Sequence, residues 1–325
     1  MYYNINKTLS YNALFNFIVG NRGGGKTFGF KQWAIKSFLK SKKQFVYVRR
    51  YKQELKKVTK FWDDIRDFFP GVSLTIKNNI FYINDEIAGY PISLSTAKIE
   101  KSVSFPDVDK ICFDEFILDK GFYRYLPDEV TNFLELYETI ARMRDVTCFF
   151  LSNAITITNP YFVYFNITLP YGKTITRNGD ILIELVQNTD FIQEKQKTRF
   201  AQLVEGTQYG NYAIQNEFLR DNKNFVAKKT PKSEIYFLFD YLDKTYGVWI
   251  DYKAGVMTVS EDLDPYCLLR FALTNDDHKP NTLFLKSPKK SAHFENFCRQ
   301  YLLGNVRFES INIKNICNEV IKWTL

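Results

Sequence analysis

Histidine is nearly absent. The chain of 325 residues holds two, His278 and His293, and neither stands in a metal-ligand spacing. Imidazole catalysis and histidine-rich metal centres are therefore disfavoured. The five cysteines, Cys112, Cys148, Cys267, Cys298 and Cys317, are odd in number, scattered, and form no C-x-x-C pair. Neither a disulfide framework nor a zinc site is supported on that count, and a reducing cytoplasm is expected. Cys112 and Cys148 lie inside apolar, strand-like runs and are predicted to be core. No run approaches the roughly 18 apolar residues of a membrane span, and the N-terminus shows no signal-peptide h-region, so no membrane partner is expected. Repeats of roughly 20–50 residues and low-complexity tracts are also missing.

What is present is apolar and basic. Hydrophobic residues make up 45% and aromatics 17%, enough for a sizeable core plus a second small domain. The formal charge of +8 suits a polyanionic partner, nucleic acid or membrane surface, though a merely basic surface would give the same figure.

Residues Gly20-Asn21-Arg22-Gly23-Gly24-Gly25-Lys26-Thr27 form a complete G-x-x-x-x-G-K-[ST] phosphate loop. It follows the apolar run Leu14–Val19 and precedes a helical pattern with Phe30, Trp33, Ala34 and Phe38 on one face. Glycines let backbone N–H groups converge on phosphate oxygens, and the helix N-terminus adds a favourable dipole. Lys26 would reach the β- and γ-phosphates and Thr27 would ligate Mg²⁺.

The first half alternates strand and helix signals, which predicts an α/β fold with a mostly parallel sheet. Gln44–Arg49 reads as a strand, followed by a helix through about Phe69 that Pro70-Gly71 stops. Leu74–Ile76 and Ile80–Ile83 suggest an edge hairpin, Ile92–Leu94 a short strand, and Lys110–Phe113 and Thr147–Leu151 buried strands, with a helix over Pro127–Met143. The pattern changes after about Lys197. Residues 198–227 read as a connecting subdomain, and residues 228–325 as a small α+β domain with a strand meander and a helix from about Ser291.

Ile111-Cys112-Phe113-Asp114-Glu115 is an apolar strand ending in two carboxylates. Asp114 can hold the Mg²⁺ shell, and Glu115 can act as general base on water, which suggests hydrolysis. No N-K-x-D signature stands near a strand end, so ATP is expected rather than GTP. Asn153 follows a buried strand, where a polar side chain can report the γ-phosphate. Arg142 and Arg144 end the preceding helix and are both candidates for an arginine reaching a neighbour's γ-phosphate; Arg22 could act in cis. Arg49 and Arg50 could equally form structural salt bridges.

These segments, Asn21–Thr27, Phe45–Lys52, Phe113–Phe116 and Leu151–Ala154, closely resemble the genome-packaging ATPase family of phi-twenty-nine-like short-tailed phages. Lys197–Phe200, Gly206–Gly210 and Gly247–Asp251 are also similar. The resemblance implies a P-loop NTPase domain of the ASCE, terminase-like class over residues 1–197, a linker subdomain over 198–227, and an RNase H-like, nuclease-inactive domain over 228–325. It implies a homopentameric ring at the portal of an empty prohead that drives double-stranded DNA inward with ATP, and a prohead RNA as a further partner. The expected place is the cytoplasm of an infected bacterium, transiently at the portal vertex, with none in the mature virion. Lys26, Thr27, Asp114 and Glu115 match the family without ambiguity. Arg142 best matches the trans-acting arginine, with Arg144 still a candidate, and Lys52 resembles a second basic residue acting across the subunit boundary. The resemblance also suggests a γ-phosphate role for Arg22.

Moving DNA needs Lys or Arg on loops. Lys120 and Arg124, in the loop after the acidic pair, are the first candidates; Lys98 and Lys101 are weaker. Lys286, Lys289 and Lys290 form a basic cluster suited to nucleic acid. A working two-metal nuclease would need converging carboxylates. Asp240, Asp243, Asp251, Asp262 and Asp264 are available, but most sit where turns or strand ends favour acids.

Overall fold

The computed structural model describes residues 3–20, 22–118, 124–153, 159–165, 167, 174–186, 189–207, 225–241, 243–285 and 291–324. The chain divides into two compact units, Met1–Arg220 and Asp221–Leu325.

The first unit opens with α1 (Ile5–Leu9), β1 (Phe15–Gly20), α2 (Lys26–Ser41) and β2 (Gln44–Arg49). It continues through β3 (Leu74–Lys77), β4 (Ile80–Ile83), β5 (Glu86–Ser93), β6 (Val108–Asp114), α3 (Glu129–Ala141) and β7 (Thr147–Asn153). Then follow α4 (Pro160–Tyr164), β8 (Ile175–Asn178), β9 (Ile181–Val186), α5 (Thr189–Gln196) and α6 (Arg199–Leu203). The nine strands form one sheet in the order β3-β4-β5-β2-β6-β7-β1-β9-β8. Its centre is parallel, and β3-β4 and β8 are antiparallel additions at the two edges. A parallel sheet is covered on both faces, so its inner strands are apolar throughout. β1 is buried at all six positions for this reason.

Aromatic rings fill both faces. On one, Phe17 stacks on Phe150 at 4.3 Å among Phe113, Phe116, Phe133 and Tyr161. On the other, Phe30, Phe45, Phe61, Trp62, Phe81 and Phe149 pack beneath α2. Edge-to-face and offset pairs of this kind add to the area they bury.

The structure corrects several sequence expectations. The helix predicted after β2 is two 3₁₀ stretches, Lys52–Lys60 and Arg66–Phe68, because Phe61, Trp62 and Ile65 between them turn inward onto the sheet. Of the short strand expected at Ile92–Leu94, Ile92 and Ser93 end the eight-residue β5, which Gly89 and Pro91 disguise, and Leu94 opens a 3₁₀ stretch. Gly89 is needed there, since a Cβ would stand 2.6 Å from the Phe45 carbonyl oxygen. β8 and β9 were not anticipated, yet β9 lies directly beside β1. Within the segment expected as a linker, Ala201 of α6 is buried in the first unit's core.

The second unit is built on β10 (Glu234–Tyr241), β11 (Lys244–Asp251), β12 (Val256–Ser260), β13 (Arg270–Ala272), β14 (Leu283–Phe284), α7 (Ala292–Leu302), β15 (Val306–Phe308) and α8 (Ile311–Thr324). The sheet order is β14-β13-β10-β11-β12-β15: an antiparallel meander β10-β11-β12 with parallel strands added on both sides. The run β12-β11-β10-β13-β14 is the strand order of an RNase H-like sheet. Among the described residues no helix is long and apolar enough to cross a membrane.

Candidate nucleotide site

The phosphate loop joins β1 to α2. Gly25, the residue before α2, has φ of 81°, a left-handed conformation that a residue with a Cβ adopts at a cost. Lys26 is nearly buried, and its Nζ donates to the Gly20 carbonyl at 3.1 Å and to Asn153 Oδ1 at 3.5 Å. Burial lowers its pKa to about 8; the Asp114 charge resists the shift and the Lys195 charge adds to it. A triphosphate in this loop would add negative charge beside the lysine.

Asp114 ends β6 opposite Thr27, whose Oγ1 lies 3.3 Å from both carboxylate oxygens. An all-oxygen pair of hydroxyl and carboxylate beside a phosphate cradle fits Mg²⁺ in donor type. Tyr47 on β2 donates to Asp114 Oδ2 at 2.8 Å. Burial, then the neighbouring Asp114 charge, push its phenol well above the ordinary range, so it stays a neutral donor.

Glu115 turns out of the strand with φ of 59° while its N–H donates to the Leu151 carbonyl at 2.8 Å. Its carboxylate is exposed on one side and held on the other by Arg49, whose Nη2 donates to Oε2 at 2.6 Å. Arg49 also donates to Glu54 Oε1 at 2.7 Å and stands 3.7 Å from Asp114. Burial opposes its charge, but Tyr47, Asp114, Glu115 and Glu54 outweigh that, and its pKa is raised.

Arg50, 1% exposed, does something different. Its Nε and Nη2 grip both oxygens of Glu129 at 2.7 and 2.9 Å, while Nη1 and Nη2 donate to the carbonyls of Glu115 and Phe116 at 3.1 and 2.7 Å. Glu129 also accepts from Leu126 N at 2.9 Å, and Tyr51 OH donates to the Arg124 carbonyl at 2.7 Å. Consecutive residues at one strand end thus hold the Glu115 carboxylate and both sides of the neck of the loop that follows it.

A phosphate loop at the end of β1, an acidic pair at the end of β6 with β7 between the two strands, and an arginine on the second acid form an arrangement suited to binding and hydrolysing a nucleotide. The family of Podovirus DNA encapsidation proteins (Gp16) matches residues 1–324. The chain belongs to that family. The DNA packaging protein of Bacillus phage phi29 is 38% identical over 323 residues, which are 99% of this chain and 97% of that protein. The phi29 viral genome packaging motor assembly contains a chain of the same fold, with a TM-score of 0.82 at 38% identity and 99% of both chains covered. The crystallised N-terminal domain of the phi29 DNA packaging ATPase is 43% identical, with a TM-score of 0.56; the match covers 58% of this chain and 98% of that domain.

Within this encapsidation-family chain, the two candidate arginines differ sharply. The Arg144 guanidinium donates to four carbonyls, those of Phe105, Pro106, Val108 and Ile140, at 2.6–2.8 Å. It fastens the end of α3 to the start of β6 and has no donor fork left to offer a neighbour, which corrects its candidacy as a finger. Arg142 is exposed, with φ of 52° just past α3. Lys52 is exposed at the start of its 3₁₀ stretch, as are Lys98 and Arg22, and Arg124 is exposed beside the loop neck. Asn21, Lys120, the Lys101 side chain, and Lys286, Lys289 and Lys290 lie outside the described residues.

Sequence reasoning missed three members of this site. Tyr47 sits in an otherwise ordinary strand, and its one signal was its place two residues before the arginine pair. Glu54 caps the Tyr51 N–H at 2.7 Å and braces Arg49, at a spacing that resembles an N-terminal cap. Lys195 on α5 donates to the Arg22 carbonyl at 3.3 Å and had no local signal at all.

The acids of the second unit are individually occupied. Asp240, nearly buried on β10, takes a two-pronged contact from Arg270 at 2.7 and 2.8 Å and a hydrogen bond from Thr245 Oγ1 at 2.6 Å. Asp251 accepts from Thr230 Oγ1 and from the N–H groups of Lys253 and Ala254, which lowers its pKa. Asp262 pairs with Lys229 at 3.1 Å, Asp243 with Lys279 at 3.6 Å, and Asp264 accepts from Tyr266 N at 2.9 Å.

Proposed function

We propose that this chain is an ATP-hydrolysing motor that drives double-stranded DNA through the portal into a preformed prohead. The observation that carries the reading is the Glu115 carboxylate, poised on Arg49 at 2.6 Å at the strand end beside Asp114, opposite Lys26 and Thr27. Lys26 and the loop N–H groups bind the triphosphate. Thr27 and Asp114 would hold Mg²⁺, which neutralises charge on the transferring phosphoryl group, and Tyr47 fixes the orientation of Asp114. Glu115, released from Arg49, accepts the proton of the attacking water. Asn153, in contact with Lys26, senses the terminal phosphate. Arg142 of a neighbouring subunit supplies the stabilising cation in trans, with Lys52 as a second contact across the boundary, and the ring is a homopentamer. Arg22 serves as a cis contact to the γ-phosphate. Lys120 and Arg124, with Lys98 and Lys101 behind them, grip DNA phosphates.

The partners of this reading are the portal, the DNA and a prohead RNA, and likeness to a chain of the phi29 packaging motor assembly supports it. The working place is the infected cell's cytoplasm, transiently at the portal vertex, and the mature virion lacks the protein. Residues 1–197 act as the ATPase domain, 198–227 as a linker whose first helix, α6, packs into that domain's core, and 228–325 as a nucleic-acid-binding domain without nuclease activity. The closed Asp240–Arg270 pair supports that last point, since Arg270 stands where a metal would need the carboxylate. Assembled rings of the Glu115→Gln variant test the reading: steady-state ATP hydrolysis should collapse, and hydrolysis at the unaltered rate would rule out the assignment.

A further inference from the structure

Strand order fixes what flanks the phosphate loop. Gly20 ends β1 between Asn153 of β7 and Val186 of β9. On the β9 side, a Cβ on Gly20 would stand 2.9 Å from both the Cβ and the carbonyl oxygen of Val186, so the loop's first residue and the end of β9 lie in tight contact. α5 begins at Thr189, shortly after β9 ends, and brings Lys195 back to the loop, where its Nζ donates to the Arg22 carbonyl at 3.3 Å.

Three cationic residues therefore meet at one phosphate loop: Arg22, Lys26 and Lys195. Their mutual repulsion registers in the lysines. The Lys195 charge adds to the lowering of Lys26, and the Arg22 charge adds to burial in lowering Lys195. The site lies at the start of α2, which already carries partial positive charge. A multiply charged anion at the N-terminus of α2 would offset this gathering of like charges.

We propose that Lys195 is a second lysine of the nucleotide site, binding the phosphate chain of ATP in cis by exchanging the Arg22 carbonyl for a phosphate oxygen. This rests on the ATPase reading above and extends it. A carbonyl is a neutral acceptor and a phosphate oxygen a charged one, so the exchange turns an ion–dipole contact into an ion pair and strengthens it. The exchange also relieves the repulsion felt by Lys26. Its consequence travels along the chain. Ile192 of α5 packs on the first unit's core, α5 contacts α6, and Ala201 of α6 is buried in the same core. Nucleotide binding through Lys195 thus tightens the helix pair that follows the sheet.

The test is titration of the full-length protein with AMP-PNP and Mg²⁺, comparing wild type, Lys195→Met, Lys195→Gln and Lys195→Arg, with Lys26→Met as a reference. Losing one charged contact should raise Kd about tenfold in the Met and Gln variants, and arginine should restore it to within about threefold. In wild type, AMP-PNP should also slow amide exchange across residues 189–207, and in Lys195→Met it should not. Unchanged affinity in Lys195→Met and Lys195→Gln, with Lys26→Met impaired, overturns the proposal and leaves the ATPase reading standing. The proposal falls equally if these variants unfold more easily without nucleotide yet bind it normally. Wild-type protein that fails to bind AMP-PNP removes the ATPase reading and this inference with it.

Discussion

Three arginine–carboxylate clusters sit on strand ends or strands of this protein, and they are built for opposite purposes. Arg50–Glu129 is sealed: both side chains are 1% exposed, the fork is bidentate, and the remaining donors reach carbonyls. Asp240–Arg270 in the second unit is likewise two-pronged, with Asp240 itself 4% exposed. Arg49–Glu115 is open: the arginine is nearly buried, while the glutamate is 59% exposed and is touched through a single nitrogen. A carboxylate with every lone pair committed is a fastening. One held by a single contact on one side, with solvent on the other, can leave and take a proton. The neighbours Arg49 and Arg50 show that residue type and position alone do not separate the two roles; closure of the pair does.

That contrast can be broken in several places. The largest effect is expected at the open pair. Glu115→Gln keeps the shape and removes the base, and should cut ATP turnover by about 10²–10⁴-fold in a steady-state phosphate-release assay, with little change in unfolding midpoint. At the sealed pair the balance reverses. Arg50→Ala strands Glu129 in the core and should destabilise the first unit by about 3–5 kcal/mol in urea unfolding. If Arg50→Ala proved as stable as wild type, the distinction between sealed and open pairs would not hold.

Lys26 sharpens the comparison from the cationic side. Its folded pKa, about 8, lies below the unfolded lysine value, so the unfolded chain binds more protons between about pH 8 and 10.5. Nucleotide-free stability should therefore rise with pH across that window, by up to roughly 3 kcal/mol, and Lys26→Met should flatten the rise. A smaller effect is expected at Arg270. Its side chain is 37% exposed, so water helps Asp240 when the arginine is removed, and Arg270→Ala should cost about 1–2 kcal/mol in the second unit without creating DNA-nicking activity. Smallest on stability is Arg142→Ala, near zero by thermal unfolding, whereas Arg144→Ala removes four bonds to carbonyls and should lower the midpoint measurably.

What was legible in the sequence was local. Gly20–Thr27 and Asp114–Glu115 carry their chemistry in consecutive residues, and the strands and helix around them are apolar in a period that reads directly. The rest depends on partners far along the chain. β9 is a short run with Glu184 in its middle, and that glutamate is buried because Tyr3 OH and Thr8 Oγ1 donate to it at 3.0 and 2.5 Å. Arg144 looked like a finger because three of its four carbonyl partners come from the segment Phe105–Val108, 36–39 residues earlier. Lys195 stands 173 residues from the Arg22 carbonyl it reaches. No spacing rule connects such pairs; the strand order does.

Arg49, Arg50 and Tyr51 are consecutive, and they hold, in turn, the Glu115 carboxylate, the Glu115 and Phe116 carbonyls, and the Arg124 carbonyl. A tripeptide has too few torsions to let its ends move freely of each other. A shift of the end of β2 would act on the Glu115 carboxylate and the loop neck together. One strand end thus ties the Glu115 side chain to the backbone on both sides of the segment that follows it.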